Sequence, residues 1–163
     1  MYRLPWIVRV LVTLLVVSSL VAACSGQTKA GIAAGDRTIY VAAIEPKGST
    51  NVDKEPFPAE SLPEGGGYAL DEPDDTGTWV VETYRWLPSE ITVVEGDNVT
   101  LEILGVNGSS HPATIEGYDL TFEVLRGQIT RVEFTADKPG IFRFTCTIHE
   151  PSMTGMIVVL PAG

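Results

Sequence analysis

From Gly77 onward the chain alternates apolar and polar residues at a period of two, in short runs broken by turn signals. Ile91 and Val93 form one run, Val99, Leu101 and Ile103 a second, Val132 and Phe134 a third, and Phe142, Phe144 and Cys146 a fourth. Successive side chains of a strand point to opposite faces, so each set lines one face of its strand. Turn-forming stretches separate the runs at Glu95-Gly96-Asp97-Asn98, Asn107-Gly108-Ser109-Ser110, Arg126-Gly127 and Asp137-Lys138-Pro139-Gly140. No amphipathic helical period competes with this pattern. Short half-buried strands can cover their apolar faces by stacking one sheet on another, which predicts an all-β sandwich with Greek-key connections. Cys146 shares the parity of Phe142 and Phe144, so its thiol is expected on the core side, at the inner end of the sandwich.

The N-terminus reads differently. Arg3 and Arg9 precede an uncharged run from Val10 to Ala23, and Val21-Ala22-Ala23 puts small residues before Cys24. The run falls short of the roughly 20 residues that span a bilayer core, which favours a signal peptide over a permanent membrane helix. The tetrapeptide Val21-Ala22-Ala23-Cys24 resembles a bacterial lipobox, in which the cysteine becomes the lipid-modified first residue. Residues 1–23 are then a lipoprotein signal peptide, and the mature chain of 140 residues sits on the extracytoplasmic face of a bacterial membrane, anchored through lipid. With Cys24 acylated, no disulfide can form within one chain, and stability must come from the core and any bound metal.

Residues 24–37 read as a tether, small and polar. Residues 38–77 hold a strand-like stretch, Thr38-Ile39-Tyr40-Val41-Ala42-Ala43-Ile44, and then an acidic insertion rich in Pro and Gly from Pro46 to Gly77, expected to be irregular because its apolar content is low. Residues 78–163 form the β-domain proper. Arg3 and Arg9 leave with the leader, so the 11 Lys and Arg become nine against 21 Asp and Glu, a balance of −12. Phosphate binding needs clustered positive charge, so nucleic acid is excluded as a partner. The acidic surface suits solubility outside the cell and would steer a basic redox partner.

Chemistry concentrates near the C-terminus. Cys146, His149 and Met153 lie within eight residues, and His111 lies 35 residues upstream of Cys146. Together they use both histidines of the protein and the one cysteine left as a free thiol. Each alone has an ordinary reading as packing or surface filler. As a set, two imidazoles, a thiolate and a weak thioether select copper and match the donor set of a mononuclear electron-transfer site.

These residues resemble the cupredoxin family. The likeness runs from about Trp79 to Pro161 and is carried by Leu87-Pro88-Ser89-Glu90-Ile91-Thr92-Val93-Val94-Glu95-Gly96-Asp97, by Lys138-Pro139-Gly140-Ile141-Phe142, and most specifically by the cysteine loop with Met153-Thr154-Gly155-Met156-Ile157-Val158-Val159. The stretch from His111 through Gly117-Tyr118 to Pro139-Gly140 is most similar to the copper domains of cytochrome oxidase subunit II and nitrous oxide reductase. Those relatives hold two coppers with a second cysteine four residues after the first, where this chain has Glu150. The loop therefore matches mononuclear type 1 sites.

The resemblance implies a cupredoxin-like Greek-key β-sandwich binding one copper per chain through His111, Cys146, His149 and axial Met153. It implies no catalytic residues, with the exposed ring edge of His149 as the port for electrons. The expected function is a membrane-anchored carrier of single electrons to or from a respiratory or other envelope redox partner. The alternative is a copper-trafficking protein supplying an oxidase or reductase. A small redox enzyme, or a metal-free binding module on the same scaffold, is the third class. An enzyme needs an open coordination position or a second metal, and only Glu150 at the metal would provide for it. Two departures bear on the site: Pro112, after the first histidine, lacks an N–H, and Glu150 is either a solvated loop charge or a ligand beside Met153. Met156 is expected on the opposite strand face from Met153.

Overall fold

The computed structural model describes residues 31–62 and 66–163; the leader, Cys24 and the first half of the tether lie outside the described residues. Residues 32–162 form one compact unit. It is built from strands β1 (Asp36–Ile44), β2 (Lys47–Asn51), β3 (Tyr68–Asp71), β4 (Thr78–Thr83), β5 (Arg85–Leu87), β6 (Glu90–Val94), β7 (Asn98–Gly105), β8 (Ser110–Ile115), β9 (Leu120–Leu125), β10 (Ile129–Thr135), β11 (Gly140–Cys146) and β12 (Thr154–Leu160). No helix among the described residues is long and apolar enough to cross a membrane.

One sheet has the order β10-β7-β1-β5 and the other β6-β12-β11-β8-β9. Pairing is antiparallel except for β1 with β7 and β12 with β6, which run parallel. After β5 the chain crosses to the other sheet, returns for β7 and β10, and crosses again after each, which is the Greek-key sandwich that the alternation implies. Ile91, Val93, Val99, Leu101, Ile103, Val132, Phe144 and Cys146 all lie in the core cluster, with Phe134 and Phe142 packed at its margin. Val41 and Ala43 of β1 and Trp86 of β5 complete it from the first sheet.

Two parts of the fold differ from the sequence-based expectation. The strand-like stretch 38–44 does open the domain, as β1 paired along its length with β7, but the stretch 46–77, expected to be irregular, supplies β2 and β3, which flank β4 in a separate three-stranded sheet. The stretch 46–77 is therefore not wholly irregular. Its apolar anchor lies in a neighbouring strand, where buried Trp79 of β4 meets Phe57 edge-on at 5.5 Å and donates its indole N–H to the Glu55 carbonyl at 3.0 Å. Second, Ser110–Ile115 and Leu120–Leu125 form a strand pair that alternation did not reveal, because Pro112 and the polar residues around it obscure the period.

A buried carboxylate locks the end of the sandwich. Asp97, fully buried in the turn between β6 and β7, accepts from the Val94 N–H at 2.7 Å, the Gly35 N–H at 2.9 Å and the Arg37 guanidinium. Its own carbonyl accepts from Ala136 N–H at 2.8 Å, beyond β10. Burial opposes its ionisation, but the Arg37 guanidinium and the Val94 and Gly35 N–H groups outweigh that cost and hold the carboxyl below its ordinary value. Asp97→Ala leaves buried donors and a cation unpaired and should lower unfolding free energy by about 3 kcal/mol in denaturant titrations. A carboxyl depressed by folding contributes its stability above the unfolded value near 4, and loses it as pH falls through the lower folded value. Wild type should therefore lose stability below about pH 4 more steeply than Asp97→Asn.

Candidate metal centre

The site grows from the register of two adjacent strands. β8 and β11 pair antiparallel with Cys146 opposite Ala113, and the Thr147 N–H continues the ladder by donating to the Pro112 carbonyl at 2.9 Å. Ala113 and Cys146 both face the core, and His111, two residues before Ala113, falls on the same face. His111 and Cys146 are each fully buried. Pro112 lacks a donor, but its carbonyl joins the strands at this point.

The loop after β11 brings the remaining donors back over the cysteine. The His149 N–H donates to the Cys146 carbonyl at 3.2 Å, the Met153 N–H to the His149 carbonyl at 2.9 Å, and the Cys146 N–H to the Met153 carbonyl at 3.0 Å. These bonds close a tight turn that buries Met153 completely within the core cluster.

Three donor atoms converge on one point. His111 Nδ1 lies 3.3 Å from His149 Nδ1, Cys146 Sγ 3.4 Å from His149 Nδ1, and Cys146 Sγ 3.9 Å from His111 Nδ1. Among the described residues this is the one group of three His, Cys, Asp or Glu able to share a metal ion. An equilateral triangle with sides of about 3.5 Å has its corners about 2 Å from its centre, close to a metal–imidazole bond length. The donor chemistry, two imidazoles and one thiolate with two of the three fully buried, is that of a single type 1 copper.

The surroundings prepare each donor. His111 Nε2 lies 2.7 Å from the Asn107 carbonyl, an acceptor only, so the proton resides on Nε2 and Nδ1 presents its lone pair to the triangle. Burial and the neighbouring His111 imidazole pull His149 below its ordinary value and favour the neutral, ligating ring. Burial pushes the Cys146 thiol up, against the pull of the Ile148 and His149 N–H groups aimed at its sulfur.

Sequence reasoning did not find Tyr84, whose ring stacks on His149 at 4.0 Å between centroids and 17° between planes. It also missed Trp86, stacked on Phe144 at 4.3 Å and 6.2 Å from His111, and Asn107. None carries a ligand type or a motif, so no local signal marks them. Glu150 is exposed on the surface, where its carboxylate meets the Arg143 guanidinium at 2.8 Å, and it is not among the converging donors. Met156 points outward, on the face opposite the buried Gly155 and Ile157.

A cupredoxin-like domain model matches residues 67–159, more than half of the chain, and the protein belongs to that family. The match begins before Trp79 and takes in β3 and β4. No curated protein matches the sequence. Among solved structures, the fold resembles the copper nitrite reductase from Nitrosomonas europaea, with 19% identity and a TM-score of 0.51 over 77% of this chain and 42% of that one. The copper-containing nitrite reductase from Thermus scotoductus is similar at 20% identity and a TM-score of 0.47, over 79% of this chain and 28% of that one. The periplasmic domain of cytochrome oxidase subunit II from Bradyrhizobium japonicum is similar at 18% identity and a TM-score of 0.40, over 44% of this chain and 54% of that one. The chain thus spans less than half the length of the nitrite reductases it resembles.

The raised thiol makes copper uptake a proton-releasing step, because the ion binds thiolate and not thiol. Apparent copper affinity should fall about tenfold for each pH unit lost below the thiol's value, measured by competition with a chelator. Cys146→Ser should lack the intense visible thiolate-to-copper band at every pH.

Proposed function

We propose that this protein is a mononuclear type 1 copper carrier that exchanges single electrons with a redox partner at the extracytoplasmic face of a bacterial membrane. The observation that supports this most is the convergence of His111 Nδ1, Cys146 Sγ and His149 Nδ1 within 4.8 Å of one another, with His111 and Cys146 fully buried and His149 half-buried. His111, Cys146 and His149 would form the trigonal plane, and buried Met153 the weak axial ligand. Copper bound there would supply the reversible one-electron couple. The chain's part is to hold the same donors for both oxidation states, because packed strands and a hydrogen-bonded loop resist rearrangement when charge changes.

Carriage is favoured over the alternatives by burial. A trafficking protein needs donors within a partner's reach, whereas Cys146, His111 and Met153 are fully buried. An enzyme needs an open coordination position, and the one added carboxylate that sequence suggested, Glu150, is engaged with Arg143 outside the site. The partner is proposed to present a basic surface, since the chain carries a net charge of −10. The anchor is proposed to be lipid on Cys24, following the lipobox-like Val21-Ala22-Ala23-Cys24.

Visible and electron paramagnetic resonance spectra of the soluble domain after Cu(II) addition test the reading directly; a spectrum without thiolate charge transfer refutes it. Met153→Leu should keep the blue colour, because the plane of three donors survives, and should raise the reduction potential, while Glu150→Gln should leave both nearly unchanged. The reverse pattern, measured by spectroelectrochemistry, removes Met153 from the site. Cys24→Ala should move the protein from the membrane fraction to the soluble fraction, because the lipid attaches at that one residue.

A further inference from the structure

The small sheet of β2, β4 and β3 reaches the metal loop at two places. The Gly66 carbonyl accepts from the Ser152 N–H at 3.2 Å, and Gly67 packs so closely that a Cβ there would lie 2.2 Å from Ser152 Oγ and 3.0 Å from His149 Cβ. Gly67 has φ +65°, a left-handed conformation open to glycine, so both the backbone and the space require this residue. The Tyr84 N–H then donates to the Gly67 carbonyl at 3.0 Å, which fixes the residue leaving β4 against the loop.

Tyr84 turns that attachment into control of the imidazoles. Its ring lies parallel to His149 at 4.0 Å and meets His111 at 62° and 5.4 Å, so one phenol ring touches both. Glu45 lines the same cleft as Tyr84, and its backbone N–H donates to the Asn107 side chain at 3.1 Å. The Asn107 carbonyl in turn fixes His111 Nε2. Tyr84 and Asn107 thus hold the two rings from two sides. His149 otherwise sits on a loop, half-buried beside a cleft that Tyr84, Glu45, Glu82 and Ile148 also line. Without the stacked ring its imidazole could rotate about the Cβ–Cγ bond and turn Nδ1 away from Cys146.

We propose that Tyr84 is a positioning residue for the metal site, its stacked ring holding the His149 imidazole with Nδ1 toward Cys146 and His111 before any metal arrives. This rests on the copper reading for its consequence, not for its structural content. Groups that orient metal-ligating histidines typically change metal affinity by about 10–100-fold when removed. The loss expected for Tyr84→Ala is therefore at least about tenfold in copper affinity, with a shifted charge-transfer band and slower electron self-exchange as the loosened ligand rearranges between oxidation states. Tyr84→Phe keeps the ring and should restore affinity, band and exchange rate to near wild type.

The test compares wild type, Tyr84→Phe and Tyr84→Ala by chelator competition, visible spectrum and self-exchange line broadening, with retained strand circular dichroism confirming the fold. In parallel, ring carbon relaxation of His149 is measured in the copper-free proteins; with only two histidines in the chain, the imidazole signals are readily separated. An ordered ring in wild type and Tyr84→Phe, mobile in Tyr84→Ala, with affinity following the same order, supports the proposal. A His149 ring as rigid in Tyr84→Ala as in wild type overturns it, as does a Tyr84→Phe variant as impaired as Tyr84→Ala. Failure of wild type to bind copper refutes the function proposed above, while the copper-free relaxation still decides the role of Tyr84.

Discussion

The rest of the site depends on placing a polar donor set where water is excluded. Cys146 ends β11 on the core side, and the pairing of β11 with β8 sets His111 beside it on the same face. A bare thiol and a bare imidazole are poor occupants of an apolar core, because burial without partners costs free energy. Here the Asn107 carbonyl accepts the His111 proton, and Cys146 Sγ lies 3.4 Å from His149 Nδ1. What remains unpaired is the lone pairs aimed at one another, which is the condition under which a metal ion gains most by binding.

Rigidity then follows from the loop. Cys146, His149 and Met153 are joined by three backbone hydrogen bonds, so the donors after β11 move as one turn. The five-stranded sheet supports this turn from beneath, with Phe144 stacked on Trp86 of the opposite sheet. The three-stranded sheet supports it from the other side through Gly66, Gly67 and Tyr84. A site held between packed layers changes little when its charge changes by one, which suits electron exchange better than chemistry that requires a ligand to depart.

Much of this was legible in the chain itself. Period-two alternation reports which face of a strand is buried, and it placed Ile91, Val93, Leu101, Ile103, Phe144 and Cys146 inside, where they are found. Ligand-capable residue types are rare enough here that two histidines, a free cysteine and a nearby methionine stood out as a candidate donor set without coordinates, and the structure brings His111, Cys146 and His149 together. Where the alternation was masked, as at Pro112 in β8, or where a strand drew its apolar support from elsewhere, as β2 and β3 draw on Trp79 and Phe57, local reading fell short.

Residue types and their spacing thus determined the all-β class, the parity that turns Cys146 inward and which residues stand as candidate donors, because these depend on side-chain chemistry and on a backbone repeat that acts over a few residues. Only the tertiary structure decided that Glu150 would meet Arg143 on the surface, that Asn107 would set the His111 tautomer and that Tyr84 would cover His149. Those contacts join residues from different strands and loops, with 65 positions separating Tyr84 from His149. Pairings at such distances are selected by how whole sheets pack, and no local pattern encodes them.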